Sequence, residues 1–368
     1  MARPPSAAVV GQAERGTPTT LRLVKDLGKA ALDASGLPYR TRLYMTRRGF
    51  KPSNHVLYDL DHNDVSEYVP DNLWSALCRT NGPLGIHILS SKLLFHLTFE
   101  AELQLAELHG HVSQGRFTPR HGCTPDQDAD LAALVKARGA LILKPVNGQK
   151  GKRVHLLAPS DDGAIEVDGS AKAVPEFTAW LRRQDSLLVH TRVEQTGYAS
   201  AIYPGSANTV RIVTVTDARG PFVLCAGHRF GRPSSAHVDN FAAGGLLCGI
   251  DLATGALSRG ASLPRSGQRG LEWHDSHPET GAPIAGRIVP GFFELVDVLL
   301  ATCRRHPYLA YVGWDVVMTD TGPVVLEANY GSGLQLQLHG GFLRDDRFAR
   351  FVEQAGRAIQ ADGPAAAA

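Results

Sequence analysis

Residues 313–330 read GWDVVMTDTGPVVLEANY, and this stretch is the most informative part of the sequence. Its central DTG is a turn signal between two apolar runs, which predicts a β-hairpin. Asp315 and Glu327 are equally far from Thr321, so in a hairpin centred there they face each other across the two strands. Asn329 follows Glu327 by two residues and therefore lies on the same face. We expect an apolar hairpin that brings two carboxylates and an amide together.

Two opposed carboxylates on a sheet repel each other, so this arrangement requires a cation between them. An all-oxygen ligand set suits Mg²⁺ that carries nucleotide phosphates. The alternative is a solvent-facing strand pair whose carboxylates meet lysines elsewhere, but the valines on both sides of the turn disfavour it. The sequence therefore predicts a metal site formed by Asp315, Glu327 and Asn329.

A lysine- and glycine-rich segment, KPVNGQKGKRV at residues 144–154, is the second candidate motif. A strand delivers Lys144, and a polar turn with Gly148 and Gly151 follows. Glycines let backbone N–H groups converge on a phosphate, and lysines supply charge. The segment is not a Walker P-loop, because the G-K-[ST] ending is missing. An ordinary hairpin turn with solvated lysines is the alternative, and the segment taken alone favours that alternative.

Two further segments carry polar groups in unusual places. Arg211 lies in the β-branched run NTVRIVTV, so it either answers a carboxylate of the fold or reaches a phosphate or substrate carboxylate. The run HVDNFAAGG, which contains His237 and Asn240, is typical of a ligand-covering loop and equally of a plain connection between strands. The sequence leaves both alternatives open. It contains no H-E-x-x-H or G-x-S-x-G motif, so a zinc peptidase or serine hydrolase is poorly supported.

The composition places the chain among ordinary globular proteins. Its 368 residues suffice for two or three packed lobes, and 43% of them are apolar, which excludes a mostly disordered protein. The net charge of +2 predicts no nucleic-acid and no membrane partner, although a local basic groove is compatible with it. Five scattered cysteines without a C-x-x-C pair, and no apolar run of about 18 residues, predict reduced thiols and a cytoplasmic location.

The front of the chain is mainly helical and the back is strand-rich, with few βαβ alternations, which predicts an α+β fold. A long helical stretch is expected from Ser90 or Ser91, as the cap, to Gly110, as the stop signal. After Gly139 the apolar runs become short and β-branched, so strands are expected there. A later helix, GFFELVDVLLATCRRH, suits either the core or the interface of a homodimer.

Taken in this order, the motifs resemble the ATP-grasp superfamily, in particular its sugar-transfer-associated, or alpha-L-glutamate ligase-like, branch. The similarity extends from about Leu57 to Phe351. Its most specific pieces are NTVRIVTV, HVDNFAAGGLLCGIDLATGAL, HPETGAPIAGRIVPGFFE and GWDVVMTDTGPVVLEANYGSG. The E-x-N pair with an aspartate twelve residues upstream is the strongest single signature.

The resemblance implies an ATP site between two α+β lobes. Lys92 and Lys144 would contact the phosphates, and Arg211 would act with Lys144 in catalysis by stabilising the transferred phosphate. Asp315, Glu327 and Asn329 would hold the magnesium ion. The other positions implied to bind ATP are Gly148 and Gly151 in a glycine-rich flap, His190 to Val193 along the purine, and Glu194 at the ribose.

The acceptor side is implied less completely. Gly331, Ser332 and Gly333 would form a turn near the acceptor, with His237 and Asn240 as further substrate-binding residues. Two departures stand out: Ser91 precedes Lys92 where an acidic residue is common, and the N-terminal region lacks the βαβ pattern of the domain that often completes the acceptor site. The boundaries expected are a flexible leader (1–18), a mainly helical N-terminal region (19–130), a small lobe with the flap (131–195), a large lobe with the metal site (196–360) and a flexible tail (361–368).

The activity implied by this resemblance is ATP- and Mg²⁺-dependent ligation of a small-molecule carboxylate to an amine through an acyl phosphate, in the biosynthesis of a peptide-like natural product or a surface glycan. A kinase of the same fold that phosphorylates a hydroxyl is the first alternative. A nucleotide-binding scaffold without catalysis is the second, and the intact set of metal ligands argues against it.

Overall fold

The computed structural model describes residues 19–32, 36–120, 130–148, 153–235, 238–263, 270–331 and 333–361. Outside the described residues lie the expected leader at 1–18, Cys123, Gly151, His237, Ser332 and all but the first residue of the tail expected at 361–368.

Helices occur mainly in the first hundred residues and then singly between strands. The α-helices are α1 (Thr19–Leu32), α2 (Tyr39–Arg47), α3 (Asn54–Leu57), α4 (Asp71–Arg79), α5 (Gly82–Ser90), α6 (Lys92–Phe99), α7 (Leu131–Arg138), α8 (Val174–Leu181), α9 (Gly197–Ile202), α10 (Phe292–Arg305) and α11 (Asp346–Ala361). Short 3₁₀ helices cover Val65–Glu67, Pro233–Ser235, Phe241–Ala243, Leu334–His339 and Phe342–Arg344.

The described strands form two seven-stranded sheets in which neighbouring strands run antiparallel. The strands are β1 (Leu108–Ser113), β2 (Arg116–Pro119), β3 (Leu141–Pro145), β4 (His155–Pro159), β5 (Ile165–Val167), β6 (Ser170–Lys172), β7 (Leu187–Thr191), β8 (Val210–Asp217), β9 (Gly220–Phe230), β10 (Leu246–Ile250), β11 (Leu257–Ser262), β12 (Glu272–His274), β13 (Tyr311–Thr319) and β14 (Gly322–Asn329). The small-lobe sheet has the order β2-β1-β7-β3-β4-β5-β6, and the large-lobe sheet the order β12-β11-β10-β9-β8-β13-β14. The predicted α+β fold class is confirmed.

The small lobe is a sheet covered by α7 and α8. Leu134, Val135 and Phe177 from these helices pack on Leu143 and Val189 of the two central strands, and all five side chains are buried. Helix α7 starts where the Asp130 carboxylate accepts a hydrogen bond from the Ala132 N–H at 2.8 Å, as expected of a helix N-cap. This packing holds β3 and β7, the strands that carry candidate nucleotide-binding residues.

The large-lobe sheet is covered on both faces. On one face, α10 packs through Phe292, Leu295 and Leu299 into a core that contains the fully buried Trp314. The Trp314 indole N–H donates to the Thr214 hydroxyl at 2.8 Å, so its polar group is satisfied in the core. The neighbouring strands β8 and β13 are therefore fixed by packing on both sides of the sheet.

The other face of that sheet carries the N-terminal helices. Met45, Phe50 and Tyr58 share a buried cluster with Phe348 of α11. The buried Gln337 side chain accepts from the Val69 N–H at 2.7 Å and donates to the Val69 carbonyl at 3.2 Å. The helical N-terminal region is thus an integral part of the large lobe.

One helical expectation is wrong. The helix that was expected to continue to Gly110 ends at Phe99, and β1 and β2 follow it. Ser91 is the N-cap as expected, accepting from the Leu94 N–H. Gly110 lies inside β1, where a Cβ would come within 2.3 Å of the Thr118 carbonyl oxygen, so this glycine permits a tight strand pair and is not a helix stop. Because β1 pairs with β7, residues 108–119 join the small-lobe sheet and not the helical N-terminal region.

The described part of the run HVDNFAAGG connects β9 to β10, in agreement with the second of its two interpretations, and its role over a ligand stays a prediction. After it, β10 and β11 extend the large-lobe sheet beyond β9. The described cysteines, Cys78, Cys225, Cys248 and Cys303, are unpaired. None of the described helices combines the length and the apolar character that crossing a membrane requires.

The two lobes meet along a seam next to α6. The Lys92 N–H donates to the Val146 carbonyl at 2.9 Å, and Ser91 pairs with Asn147 across a single bridge. A second bridge joins Leu105 to Val325 of the large-lobe hairpin. The start of α6 is therefore fixed to the end of β3 in one lobe, and the segment after α6 is fixed to β14 in the other.

Candidate functional site

The β13–β14 hairpin places its polar residues as expected, by a slightly different route. Thr319 pairs with Gly322, so the turn has two central residues and is centred before Thr321. A β-bulge at Leu326 then shifts the register by one residue, and Asp315 pairs with Glu327. The predicted pairing is present because the bulge compensates for the off-centre turn.

The amide of Asn329 joins the two carboxylates. Its Nδ2 lies 3.2 Å from Glu327 Oε1 and 3.4 Å from Asp315 Oδ2, so all three side chains share one face of the hairpin. Asp315 is buried, whereas the Glu327 side chain keeps about a third of its surface exposed. The predicted trio converges, with Glu327 on the solvent side.

Two guanidinium groups neutralise Asp315. Arg211, its cross-strand neighbour on β8, binds it in a bidentate manner, with Nη2 2.6 Å from Oδ2 and Nε in contact with Oδ1. Arg229 Nη2 lies 3.0 Å from Oδ1. Burial raises the pKa of Asp315, but the two arginines outweigh it and hold that pKa below its usual value. Asp315 is therefore an anion in the folded protein.

Arg229 was missed in the sequence, although the same signal that identified Arg211 was present. It stands in the apolar strand FVLCAGHRF, two residues beyond Gly227, the cross-strand partner of Arg211. Residues two apart in a strand share a face, so both arginines reach Asp315. Arg229 Nε also lies 3.5 Å from Asp239 Oδ2 and 3.0 Å from the Thr209 hydroxyl.

The loop between β9 and β10 contributes a different residue from the one expected. Asp239 reaches the arginine cluster and accepts from the Thr209 N–H at 2.8 Å. Burial raises the pKa of Asp239, while Arg229 and Thr209 oppose that shift. Asn240 instead uses its side chain to accept from the Ala242 N–H, as the cap of a 3₁₀ helix. The structure therefore brings Asp239 to the arginine that binds Asp315, while the role of Asn240 in substrate binding stays a prediction.

The two predicted lysines approach the hairpin from the lobe seam. Lys92 Nζ lies 3.3 Å from Glu327 Oε2 and donates to the Gly148 carbonyl at 2.8 Å. Lys144 Nζ donates to the Leu326 carbonyl at 3.3 Å, at the bulge. Burial lowers the pKa of Lys144 to about 8, opposed by Glu327. The bulge thus connects the two lobes, because the Leu326 carbonyl of the large lobe, next to Glu327, accepts a hydrogen bond from Lys144 of the small lobe.

His190 lies beside these lysines on β7, the strand between β1 and β3. It is buried, and its ring packs edge-on against His96 with centroids 5.6 Å apart. Burial, reinforced by nearby Lys144, lowers its pKa well below the usual value, so the imidazole is neutral at pH 7. Its Nδ1 has no hydrogen-bond partner among the described residues. Lys92, Lys144 and His190 line one small cavity at the seam together with Leu326.

The other predicted positions are placed by their own local surroundings. Val193 and Glu194 follow the end of β7 at Thr191, and Glu194 is exposed. Gly333 has φ +96°, and a Cβ there would come within 2.4 Å of Val213, so the backbone at this turn requires glycine. Gly331 lies against Trp74, where a Cβ would meet the ring at 3.4 Å. Their roles in substrate binding stay predictions.

The oxygen donors of the trio fit a hard divalent cation. Asp315 and Glu327 supply carboxylates, and Asn329 would supply its carbonyl oxygen after rotation of the side-chain amide, whose Nδ2 faces both carboxylates in this structure. No cluster of three or more His, Cys, Asp or Glu side chains suited to a metal occurs in the described ranges, and this trio has two carboxylates with an amide as its third member. Since both oxygens of Asp315 contact arginines, Glu327 is the donor with the greatest freedom to take a cation.

Comparison with known proteins gives one family match. Residues 78–347, well over half of the chain, match the family described as "Sugar-transfer associated ATP-grasp". No curated protein sequence matches the chain.

Among solved structures, the chain is similar to D-alanyl-alanine synthetase A from Vibrio cholerae, at 10% identity and a TM-score of 0.42, covering 74% of this chain and 65% of that one. It is also similar to an L-amino acid ligase from Bacillus licheniformis, at 10% identity and a TM-score of 0.37, covering 70% and 46%. A third structure, an ADP complex of N5-carboxyaminoimidazole ribonucleotide synthetase, has 10% identity and a TM-score of 0.38, covering 67% and 46%. The chain therefore spans about half to two thirds of the length of these proteins.

Proposed function

Because the chain belongs to the sugar-transfer-associated ATP-grasp family, we propose that it is an ATP- and Mg²⁺-dependent ligase that joins a carboxylate to an amine. The observation that carries this proposal is the convergence of Asp315, Glu327 and Asn329 on one face of a hairpin, opposite two lysines from the lobe seam. Anionic oxygens and cationic side chains alternate there within hydrogen-bond distance, as binding of a metal-chelated polyphosphate requires.

The lysines and His190 would bind the nucleotide. Lys92 and Lys144 would neutralise phosphate oxygens, exchanging their present carbonyl acceptors for stronger anionic ones. A bound polyphosphate would also offset the free-energy cost of burying the Lys144 ammonium, because a nearby opposite charge favours its protonated form. His190, neutral and with an unpartnered Nδ1, would lie along the purine base.

Asp315, Glu327 and Asn329 would hold magnesium, which, when bound, supplies charge neutralisation at the β- and γ-phosphates. Arg211 and Arg229 would share Asp315 with it, and one of these guanidiniums would stabilise the charge of the transferring phosphoryl group. Arg211 is the predicted candidate, and Arg229 offers an equivalent group on the same face.

The reaction would proceed in two displacements. A carboxylate oxygen of the first substrate attacks the γ-phosphorus, the bond to the β–γ bridging oxygen breaks, and ADP leaves. The amine nitrogen of the second substrate then attacks the carbonyl carbon of the acyl phosphate, inorganic phosphate leaves, and the amine releases a proton. The protein contributes positioning and charge stabilisation, and no side-chain nucleophile is needed.

The finer details rest on likeness to the family. We propose substrates from the biosynthesis of a peptide-like product or surface glycan, and a cytoplasmic location where ATP is available and the described thiols stay reduced.

The decisive experiment compares Glu327→Gln with Asp320→Asn. Glu327→Gln keeps the shape of the side chain but removes a ligand charge, so we expect it to abolish ATP turnover and Mg²⁺-dependent ATP binding without lowering the melting temperature. Asp320, exposed at the turn of the same hairpin, is the control, and Asp320→Asn should behave like the wild type. Calorimetry with ATP and Mg²⁺ and an ADP-release assay with pooled carboxylates and amines provide the measurements.

An active, Mg²⁺-dependent Glu327→Gln protein would contradict the site assignment. Formation of a stable phosphate ester instead of an amide would replace the ligase by a kinase on the same site. Nucleotide binding without turnover of any acceptor pair would favour a scaffold.

A further inference from the structure

The segment that precedes the family match differs in charge from the rest of the chain. Residues 19–51 carry eight Lys and Arg against two Asp and Glu, a net charge of +6, whereas the whole chain carries +2. The remaining residues therefore have a net charge of −4. This segment contains α1 and α2 and lies entirely outside residues 78–347, so the family's nucleotide site makes no use of it.

Helix α2 sorts its side chains onto two faces. Arg40, Leu43, Tyr44 and Arg47 recur at the three- and four-residue spacings that form one stripe of a helix. Met45 lies on the other side, fully buried in the cluster beneath the large-lobe sheet. The stripe therefore faces outward from a helix that the core holds in place.

The outward stripe combines cations with apolar groups. The Arg48 guanidinium lies over the Tyr44 ring, 4.0 Å from its centroid. Tyr44 and Tyr39 are each about two fifths exposed, at 42% and 41%, and Leu32 at the end of α1 is 88% exposed. None of the ion pairs between described side chains involves Arg40, Arg47 or Arg48.

These residues line a shared open groove. Arg40, Leu43, Tyr44, Arg47 and Arg48 surround it, and we name this set the α2 face. Arginine stems and a tyrosine ring can lie along an apolar boundary while their polar ends stay in water. A single surface that offers three guanidiniums, a leucine and a tyrosine is suited to a partner that is both anionic and apolar.

We propose that the α2 face docks this protein on a membrane surface that contains anionic lipids. Charge complementarity selects an anionic partner, and exposed Leu32, with Leu43 and Tyr44 in the groove, favours lipid over nucleic acid, whose phosphates give aliphatic side chains nothing to bury against. The arginines would bind lipid phosphates, while Tyr44 would lie at the level of the headgroups. The expectation of no membrane partner rested on the net charge of the whole chain, which averages this patch with an acidic remainder.

Vesicle flotation with the full chain tests this proposal. Phosphatidylcholine vesicles, with and without phosphatidylglycerol, are compared for the wild type and for the combined variant Arg40→Gln, Arg47→Gln and Arg48→Gln. A basic residue near an anionic surface contributes about fivefold to partitioning, so the variant should bind phosphatidylglycerol vesicles roughly 100-fold more weakly. Binding by the wild type should also weaken as the salt concentration rises.

The matched control removes three exposed cations from the small lobe, through Lys136→Gln, Arg138→Gln and Arg183→Gln, and should bind like the wild type. Tyr44→Ser, at unchanged charge, separates apolar contact from charge and should also weaken binding. All variants should keep the wild-type melting temperature, because the altered side chains are exposed.

Equal binding to both kinds of vesicle, or equal losses in the α2-face variant and the small-lobe control, would overturn the proposal. Retention of a single-stranded oligonucleotide without vesicle binding would overturn it in favour of nucleic acid. The outcome is independent of the proposed ligase activity, since none of the altered residues belongs to the nucleotide site.

Discussion

Lys144 is the residue at which fold stability and nucleotide binding conflict. Its ammonium is buried at the seam, with the Leu326 carbonyl as its acceptor, and burial lowers its pKa to about 8. A lowered lysine pKa means that the charged form costs folding free energy at neutral pH, and that this cost falls only as the pH rises above about 8. A charge kept at such a cost is typical of a binding site.

We therefore expect Lys144→Met to separate the two properties. Methionine fills similar space without the charge, so the melting temperature should stay equal or rise, while ATP affinity falls at least about tenfold with the lost phosphate contact. Thermal denaturation and calorimetry measure the two effects, and Lys136→Met, at an exposed position of α7, is the control. A variant that binds ATP as tightly as the wild type would exclude Lys144 from the phosphate site.

Arg211 and Arg229 show how much a single buried arginine in a strand indicates about its partner. An Arg in a β-branched strand indicates a buried partner, and Arg211 was identified in this way, with a carboxylate of the fold or a phosphate as its target. The structure gives it Asp315. Arg229 carries the same signal but was missed, and Asp239 could not be assigned to it, because that pairing depends on how the loop after β9 folds back onto the strand.

At the scale of elements, the hairpin was predicted and its bulge was not. Turn residues and apolar runs locate β13 and β14, since both signals are local in sequence. The bulge at Leu326 leaves no local signal in the sequence. The Asp315–Glu327 pairing was predicted correctly because two offsets cancel: the predicted turn centre lies half a residue too late, and the bulge shifts the register to match it. The strands β1 and β2 were missed because a helix was expected to continue to Gly110, and β1 pairs with β7, which is distant in the sequence.

Gly227 allows β9 to lie close to Leu336 and to the backbone of Cys248 on β10. A Cβ there would come within 2.3 Å of Leu336 Cδ2 and 2.8 Å of the Cys248 carbonyl oxygen. We expect Gly227→Ala to lower the free energy of unfolding by about 1–3 kcal/mol, because backbone on one side cannot yield. Denaturant titration measures this, with nucleotide binding as a second readout since β9 carries Arg229.

Gly197→Ala is the matched control for that substitution. Gly197 begins α9, and no heavy atom lies within 4 Å of an added Cβ. Its replacement should leave stability unchanged or raise it by up to about 1 kcal/mol. Equal effects of the two substitutions would show that the close approach at Gly227 has no energetic weight.

At the scale of the whole molecule, the candidate site exists only where the two lobes meet. Lys92 and Lys144 reach the hairpin because α6 is fastened to the end of β3 by backbone hydrogen bonds. These contacts join residues more than fifty positions apart in the sequence, and no sequence motif indicates that the two segments are in contact. The resemblance to a family therefore identifies most residues of the site from the sequence. Their arrangement, including the contact of Lys144 with the Leu326 carbonyl, depends on tertiary packing at the seam and could not be predicted.

Another long-range contact, between β8 and α11, lends itself to a pH test. Arg347 donates to both oxygens of Asp217, at 2.6 and 2.8 Å, and its guanidinium lies over the Phe222 ring. The Arg347 hydrogen bonds lower the pKa of Asp217 from 3.8 to about 2. A carboxylate with a lowered pKa stabilises the fold above its unfolded-state pKa, and this contribution is lost as the pH falls through the folded-state value.

We expect Asp217→Asn to lower the free energy of unfolding by about 1–3 kcal/mol at neutral pH. The difference between wild type and variant should shrink as the pH falls from about 4 towards 2, because protonation removes the same charge from the wild type. Glu67→Gln, which breaks a more exposed pair with Arg344, is the control and should cost under about 1 kcal/mol. Denaturant titrations across this pH range decide the matter: a difference that stays constant down to pH 2 would mean that packing of Arg347 on Phe222, and not its charge pair, holds α11 to the sheet.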